Sequence, residues 1–160
     1  MIIALIAYAV AMIAANLLVA TFGPSVTAIN AFLLIGLDLT LRDWLHFRLK
    51  TWQMSGLIIG TGLITYGLNP ASGMIAIASA VSFLAASIVD WAIFVKTTGS
   101  WIKRANVSNT AGAAVDSLLF PTIAFGALMP EIVALQFVAK VAGGAVWSYV
   151  LEKKLKHEPL

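Results

Sequence analysis

Nine of the ten lysines and arginines of this chain, all but Lys140, fall into three short clusters, and before each cluster lie two apolar runs joined by a turn that contains no lysine or arginine. Arg42, Arg48 and Lys50 form the first cluster, Lys96, Lys103 and Arg104 the second, and Lys153, Lys154 and Lys156 the third. Positive residues stay on the cytoplasmic side of a membrane, so this alternation predicts six crossings, with both ends of the chain in the cytoplasm. Merging or dropping one run would put a basic loop on the wrong face. Composition agrees: 61% of the 160 residues are apolar and 11% are charged, against about a quarter charged in a soluble domain. Lipid must cover what charge cannot.

The predicted fold class is therefore all-α and integral to the membrane, with a six-helix domain over residues 1–151 and a polar cytoplasmic tail over 152–160. The first run, Ile2 to Phe22, has no charge and matches the roughly twenty residues a spanning helix needs. No basic segment precedes it, so it reads as a span and not as a cleaved signal peptide. Gly23-Pro24-Ser25 is the first turn, and a second span follows from Val26 to about Leu41. The third runs from Trp52 to Tyr66, the fourth from Ala71 to Val95, the fifth from Asn109 to Met129 and the sixth from Ile132 to Leu151. Arg42 and Asp43 read as loop residues. Trp44, Trp52, Trp91 and Trp101 flank the basic loops, and Trp147 fits the same interfacial belt. Small residues recur at helical spacing at Ala7, Ala11 and Ala15, at Gly56 and Gly60, and at Ala139 and Gly143. Such faces serve close helix packing within the chain or docking of another subunit, a homodimer included.

Several function classes drop out. The net charge of +3 is accounted for by topology, so no nucleic-acid partner is expected. There is no cysteine and no phosphate-binding glycine loop. His46 and His157 lie far apart without the carboxylates and second histidine of a metal site, so neither metal nor cofactor is expected. Ser117 lies in Gly112-Ala113-Ala114-Val115-Asp116-Ser117, which is not a nucleophile elbow. No constellation supports an enzyme.

A charge at mid-membrane costs at least about 2.5 to 3.5 kcal/mol on insertion scales, so each needs an explanation. Counted along their spans, Asp38, Asp90 and Asp116 all fall in the cytoplasmic half, where they could share a cavity. For Asp38 and Asp90, near helix ends, the alternative is an interfacial carboxylate reaching headgroup water. Asp116 lies deeper, at nearly the depth of Lys140. The two form either a structural ion pair or part of a ligand or proton site. Asn16 and Asn30 suit interhelical hydrogen bonds or recognition of a heterocycle.

The segment Arg104-Ala105-Asn106-Val107-Ser108-Asn109-Thr110-Ala111-Gly112-Ala113-Ala114-Val115-Asp116-Ser117-Leu118-Leu119-Phe120, followed by Ala124-Phe125, resembles the VUT family of queuosine precursor transporters. The likeness extends over nearly the whole chain and includes the early pair Asn16-Leu17 and the aspartate late in span two, Asp38. One departure is that longer relatives follow that aspartate with a glutamate and a Tyr-Gly pair, where this chain reads Asp38-Leu39-Thr40-Leu41-Arg42-Asp43-Trp44. The resemblance implies import of 7-cyano-7-deazaguanine or its aminomethyl counterpart across the bacterial cytoplasmic membrane, by a compact bacterial or phage-encoded branch. Asp116 is then the central substrate contact, because a carboxylate accepts two adjacent N–H donors of a guanine-type edge. Asn16, Asn30, Asn109, Asp38 and Ser117 supply further polar contacts, while Phe120, Phe32 or Trp91 stack on the ring. Asp38, Asp90 or Lys140 would carry a coupling proton or an ion pair. Two alternatives are a substrate-binding subunit of an energy-coupling-factor importer, docking through the small face of span one, and a structural membrane protein or phage lesion former without ligand.

Overall fold

A computed structural model describes residues 1–46 and 48–155, excluding the side chains of residues 43, 46, 51 and 152–155. The expected tail residues 156–160, with Lys156 and His157, lie outside the described residues, as do the side chains of Asp43 and His46.

All regular structure among the described residues is helical. Helix α1 spans Ile2–Phe22 and ends at Gly23, whose φ of 67° is a conformation that glycine adopts freely. The chain folds back there through a 3₁₀ turn, Gly23–Val26, into a composite helix. That helix begins as α2 (Thr27–Asn30), loosens into a π turn (Ala31–Ile35) and continues as α3 (Gly36–His46). The reversal is fixed from inside: the Asn30 side-chain amide donates to the Ala15 carbonyl at 2.9 Å. A π turn is rare and disturbs the regular hydrogen-bond ladder. Here the Leu33 carbonyl accepts from Trp147 Nε1 at 2.9 Å, which gives this indole a structural partner in addition to its place in the belt.

Helix α4 is Thr51–Leu68, entered through a cap in which the Lys50 N–H donates to Gln53 Oε1 at 2.8 Å. A short turn at Pro70–Ser72, with Asn69 Oδ1 accepting from the Ala71 N–H, leads into α5 (Gly73–Lys96). Helix α6 is Trp101–Phe125, capped by Ser100 at its start and by Gly126 in the left-handed region at its end. Helix α7 is Pro130–Leu155. Thus α6 begins eight residues before the expected Asn109, and α7 continues into the expected tail.

Three stretches are long and apolar enough to cross a membrane: Ile2–Arg42, Pro70–Lys96 and Pro130–Leu151. The first contains the hairpin at Gly23, for α1 packs back on the π turn and on α3. Helix α6 is not among them because its polar residues are numerous, yet several of them point inward. Ser108, Asn109, Asp116 and Ser117 are all buried. The outside is apolar instead: Ile3, Leu63, Ile88 and Val138 are each more than 60% exposed. A protein that buries carboxylates and exposes isoleucine is built for lipid.

Helices α5 and α6 form the most extensive pair, and α7 packs on α6, α3 and the π turn. The approach of α7 is backbone to backbone. A Cβ on Gly36 would lie 2.6 Å from the Gly143 carbonyl carbon, and one on Gly143 would collide with the Phe32 carbonyl. Ala11 and Ala15 are likewise buried within the chain. By contrast, Gly56 and Gly60 have nothing within 4 Å of an added Cβ.

Candidate functional site

Among the described residues, two buried ion pairs lie in the helical interior. The first joins α6 and α7, with Lys140 Nζ 2.6 Å from Asp116 Oδ2. Lys140 also donates to Gln136 Oε1 at 2.9 Å, one turn back on the same helix. These three side chains line a cavity with Asn16, Asn30 and Phe120, closed further by Phe83, Ser79 and the α1 residues Ala15 and Val19. Its volume is about 20 Å³, room for about one water molecule.

Around that cavity, several polar atoms have no hydrogen-bond partner: Asn16 Nδ2, Gln136 Nε2, Asn30 Oδ1 and Asp116 Oδ1. Buried polar atoms are nearly always paired, because an unpaired one costs about 1 to 3 kcal/mol. All four belong to side chains that line the cavity, two as donors and two as acceptors. The Asn30 amide is oriented by its bond to Ala15, so its oxygen faces as an acceptor. Pro121, one turn beyond Ser117 in α6, has no N–H to give the Ser117 carbonyl, which leaves the backbone beside Asp116 less committed to its own helix.

The second pair joins α3 and α5. Arg42 Nη2 is 3.7 Å from Asp90 Oδ2, Arg42 Nη1 donates to Ser87 Oγ at 3.1 Å, and the guanidinium lies 5.8 Å from the centre of the Phe83 ring. Both charged side chains are buried, Arg42 completely. Gly112 of α6 makes room, since a Cβ there would lie 3.2 Å from Asp90 Cβ and 3.4 Å from Arg42 Nη2. Arg42 is therefore not a loop residue. Helix α3 carries on past it, and the energy of burying a guanidinium is recovered only by pairing it. Asp38 and Asp90 do not reach headgroup water either, with exposures of 0% and 2%.

Asp38 lies one turn before Arg42 on α3 and does not line the cavity. Arg42 attracts its carboxylate and Asp116 repels it, and neither of its oxygens has a hydrogen-bond partner. The buried Tyr8 hydroxyl, which sequence reasoning passed over, stands in the fields of Asp38 and Arg42. Asn109 is buried near Gly144, with both amide atoms unpaired, but it is not among the cavity residues; nor is Ser117, whose hydroxyl is buried without a partner. Trp91 points outward, 57% exposed, in a groove between α4 and α5 with Ile58 and Ile88. Phe32 is half-buried on the π turn and outside the cavity.

Of the expected site residues, the structure thus gathers Asp116, Asn16, Asn30, Phe120 and Lys140 and adds Gln136. The signal for Gln136 was present as a polar residue four before Lys140, hence on its face of an otherwise apolar helix. Among the described residues no group of three or more histidines or carboxylates could hold a metal.

Compared with known proteins, residues 1–151 match a family model described as "putative vitamin uptake transporter". Neither the search of curated proteins nor that of solved structures returned a match.

Proposed function

From the premise that this chain belongs to the vitamin uptake transporter family, and is a membrane transporter on that ground, we propose that its cargo is a 7-deazaguanine. The cargo would be 7-cyano-7-deazaguanine or its aminomethyl counterpart, taken up across a bacterial cytoplasmic membrane. The observation that carries this reading is the set of unpaired atoms at the cavity. Asp116 Oδ1 and Asn30 Oδ1 accept, while Asn16 Nδ2 and Gln136 Nε2 donate. A guanine-type edge offers adjacent N–H donors beside a carbonyl acceptor, so it can satisfy both kinds at once. Phe120 and Phe83 close the cavity and offer ring faces to a planar ligand.

The cavity of about 20 Å³ is far below the roughly 300 Å³ at which small-molecule sites begin. Cargo therefore enters only when the helices part, as alternating access requires. The contact between α6 and α7 at Asp116 and Lys140 is the natural place, since a ligand carrying N–H donors competes there with the ammonium. In this reading all six helical segments cross the bilayer, with α4 and α6 crossing despite their polar content because α6 turns several of its polar side chains inward. The basic clusters put both ends in the cytoplasm.

The importer-subunit reading used the face Ala7, Ala11 and Ala15 as a docking surface. Ala11 and Ala15 are buried inside this chain, which weighs against it.

The test is uptake in a bacterium unable to make or import queuosine precursors. With 7-cyano-7-deazaguanine supplied, the wild-type chain should restore queuosine to transfer RNA, and a well-expressed Asp116→Asn variant should not. A correctly inserted wild-type chain that restores nothing would remove this cargo.

A further inference from the structure

Among the described residues, the fully ionisable side chains in the interior are Asp38, Asp90 and Asp116 on one side and Arg42 and Lys140 on the other. Two carboxylates have a cation at hand, Asp90 with Arg42 at 3.7 Å and Asp116 with Lys140 at 2.6 Å. The third does not. Asp38 is 0% exposed, and both its oxygens lack a hydrogen-bond donor. Ionised, the set would hold one uncompensated negative charge in a low-dielectric interior, where a lone charge costs several kcal/mol.

The groups facing Asp38 from its neighbours do not relieve it. From α1 comes the Tyr8 hydroxyl and from α6 the repelling Asp116, whose own partner is Lys140 of α7. On its own helix is Arg42, engaged by Asp90 and Ser87 of α5. Helix α4 contributes no acidic or basic residue, and its Tyr66 is exposed. Within this set of described residues, a monovalent cation would complete the balance. A metal ion would need room and several oxygen ligands, whereas Asp38 lies outside the central cavity and no cluster of three carboxylates is present among the described residues. A proton needs neither.

We propose that Asp38 is a proton-binding site and, resting on the transporter reading above, that its proton travels with the cargo. Proton binding forms one O–H bond on the carboxylate and takes its charge from minus one to zero. That silences the repulsion on Asp116, which accepts the N–H donors of the cargo. When the proton leaves, Asp38 and Asp90 compete for Arg42. The two ends of that competition are on α3 and α5, so moving the guanidinium one turn toward Asp38 loosens the contact between these helices. Asp38 acts on the cargo through Asp116 and Arg42 and is a positioning residue.

The site is tested by infrared spectroscopy of the full chain in bilayers at neutral pH. The wild type should show the carbonyl stretch of a protonated carboxylic acid, and Asp38→Asn should lack it. Asp90→Asn supplies a second route that does not depend on folding of the first variant. Removing one carboxylate balances the interior charges, so Asp38 should ionise and the band should vanish although Asp38 is intact. A wild type without the band, or a band that survives in both variants, overturns the proposal. Coupling is tested in vesicles with 7-cyano-7-deazaguanine. An inside-alkaline gradient should raise wild-type accumulation several-fold and leave Asp38→Asn unmoved. A gradient that drives both equally, or neither, overturns coupling. If the wild type takes up none of this compound under any condition, the cargo reading fails and the infrared result alone decides on the proton site.

Discussion

The two buried ion pairs have the same chemistry and opposite surroundings. Lys140 and Asp116 touch at 2.6 Å beside a cavity rimmed with unpaired donors and acceptors. Arg42 and Asp90 stand 3.7 Å apart with Ser87 and Phe83 packed around the guanidinium and Gly112 admitting α6 alongside. An arginine offers a rigid fork of donors that can hold two helices together, while a lysine is a point charge on a flexible stem that can leave its partner. On the proposed function, one pair holds the fold and the other meets the ligand.

The comparison breaks most visibly at Arg42. Arg42→Met leaves Asp90 buried without its cation, and stability should fall by about 3 to 5 kcal/mol, read as an early unfolding transition in detergent. An unchanged transition would mean that the α3–α5 pair holds nothing. Gly112→Ala probes the same region more gently. Its Cβ would lie 3.2 Å from Asp90 Cβ, which must give by a few tenths of an ångström, and overpacking of this kind costs about 1 kcal/mol, measured in the same unfolding experiment. At the cavity affinity joins stability as a readout. Gln136→Ala removes one donor to the cargo, worth about 0.5 to 1.5 kcal/mol, so the Kd for 7-cyano-7-deazaguanine should rise up to about tenfold. It also takes an acceptor from the buried Lys140, so stability should fall by about 1 to 3 kcal/mol. The smallest effect belongs to Trp91→Ala. Its indole faces outward, and both affinity and stability should stay within about 0.5 kcal/mol of wild type; a large loss of affinity would place the ligand in the α4–α5 groove instead.

The sequence made some of this readable and hid the rest for physical reasons. Apolar runs bounded by Gly23, Pro70 and Pro130 announced the helices, because membrane length and turn chemistry both leave marks in composition. Asp116 and Lys140 could be matched because depth follows from counting residues at a fixed rise. Rotation about the helix axis leaves no such mark. Asp90 and Trp91 are adjacent in the chain yet about 100° apart around the helix, and one is buried while the other is 57% exposed. Arg42 was misplaced because the charged run from Arg42 to Arg48 resembles a loop. Only the tertiary fold supplies the carboxylate of Asp90 that lets α3 carry a guanidinium inward. Tyr8 and Ser87 gave no signal, for a tyrosine or a serine in an apolar helix is common and its partner lies on another helix.

The account's central claim is that the cavity at Asp116 receives a deazaguanine. Binding of 7-cyano-7-deazaguanine to the purified chain, wild type against Asp116→Asn, tests it most directly. With the variant folded, loss of a charged acceptor for two N–H donors should weaken binding by about 2 to 4 kcal/mol, roughly 30-fold to 1,000-fold. Equal affinity in the two proteins would contradict the claim and move the ligand away from the Lys140 pair.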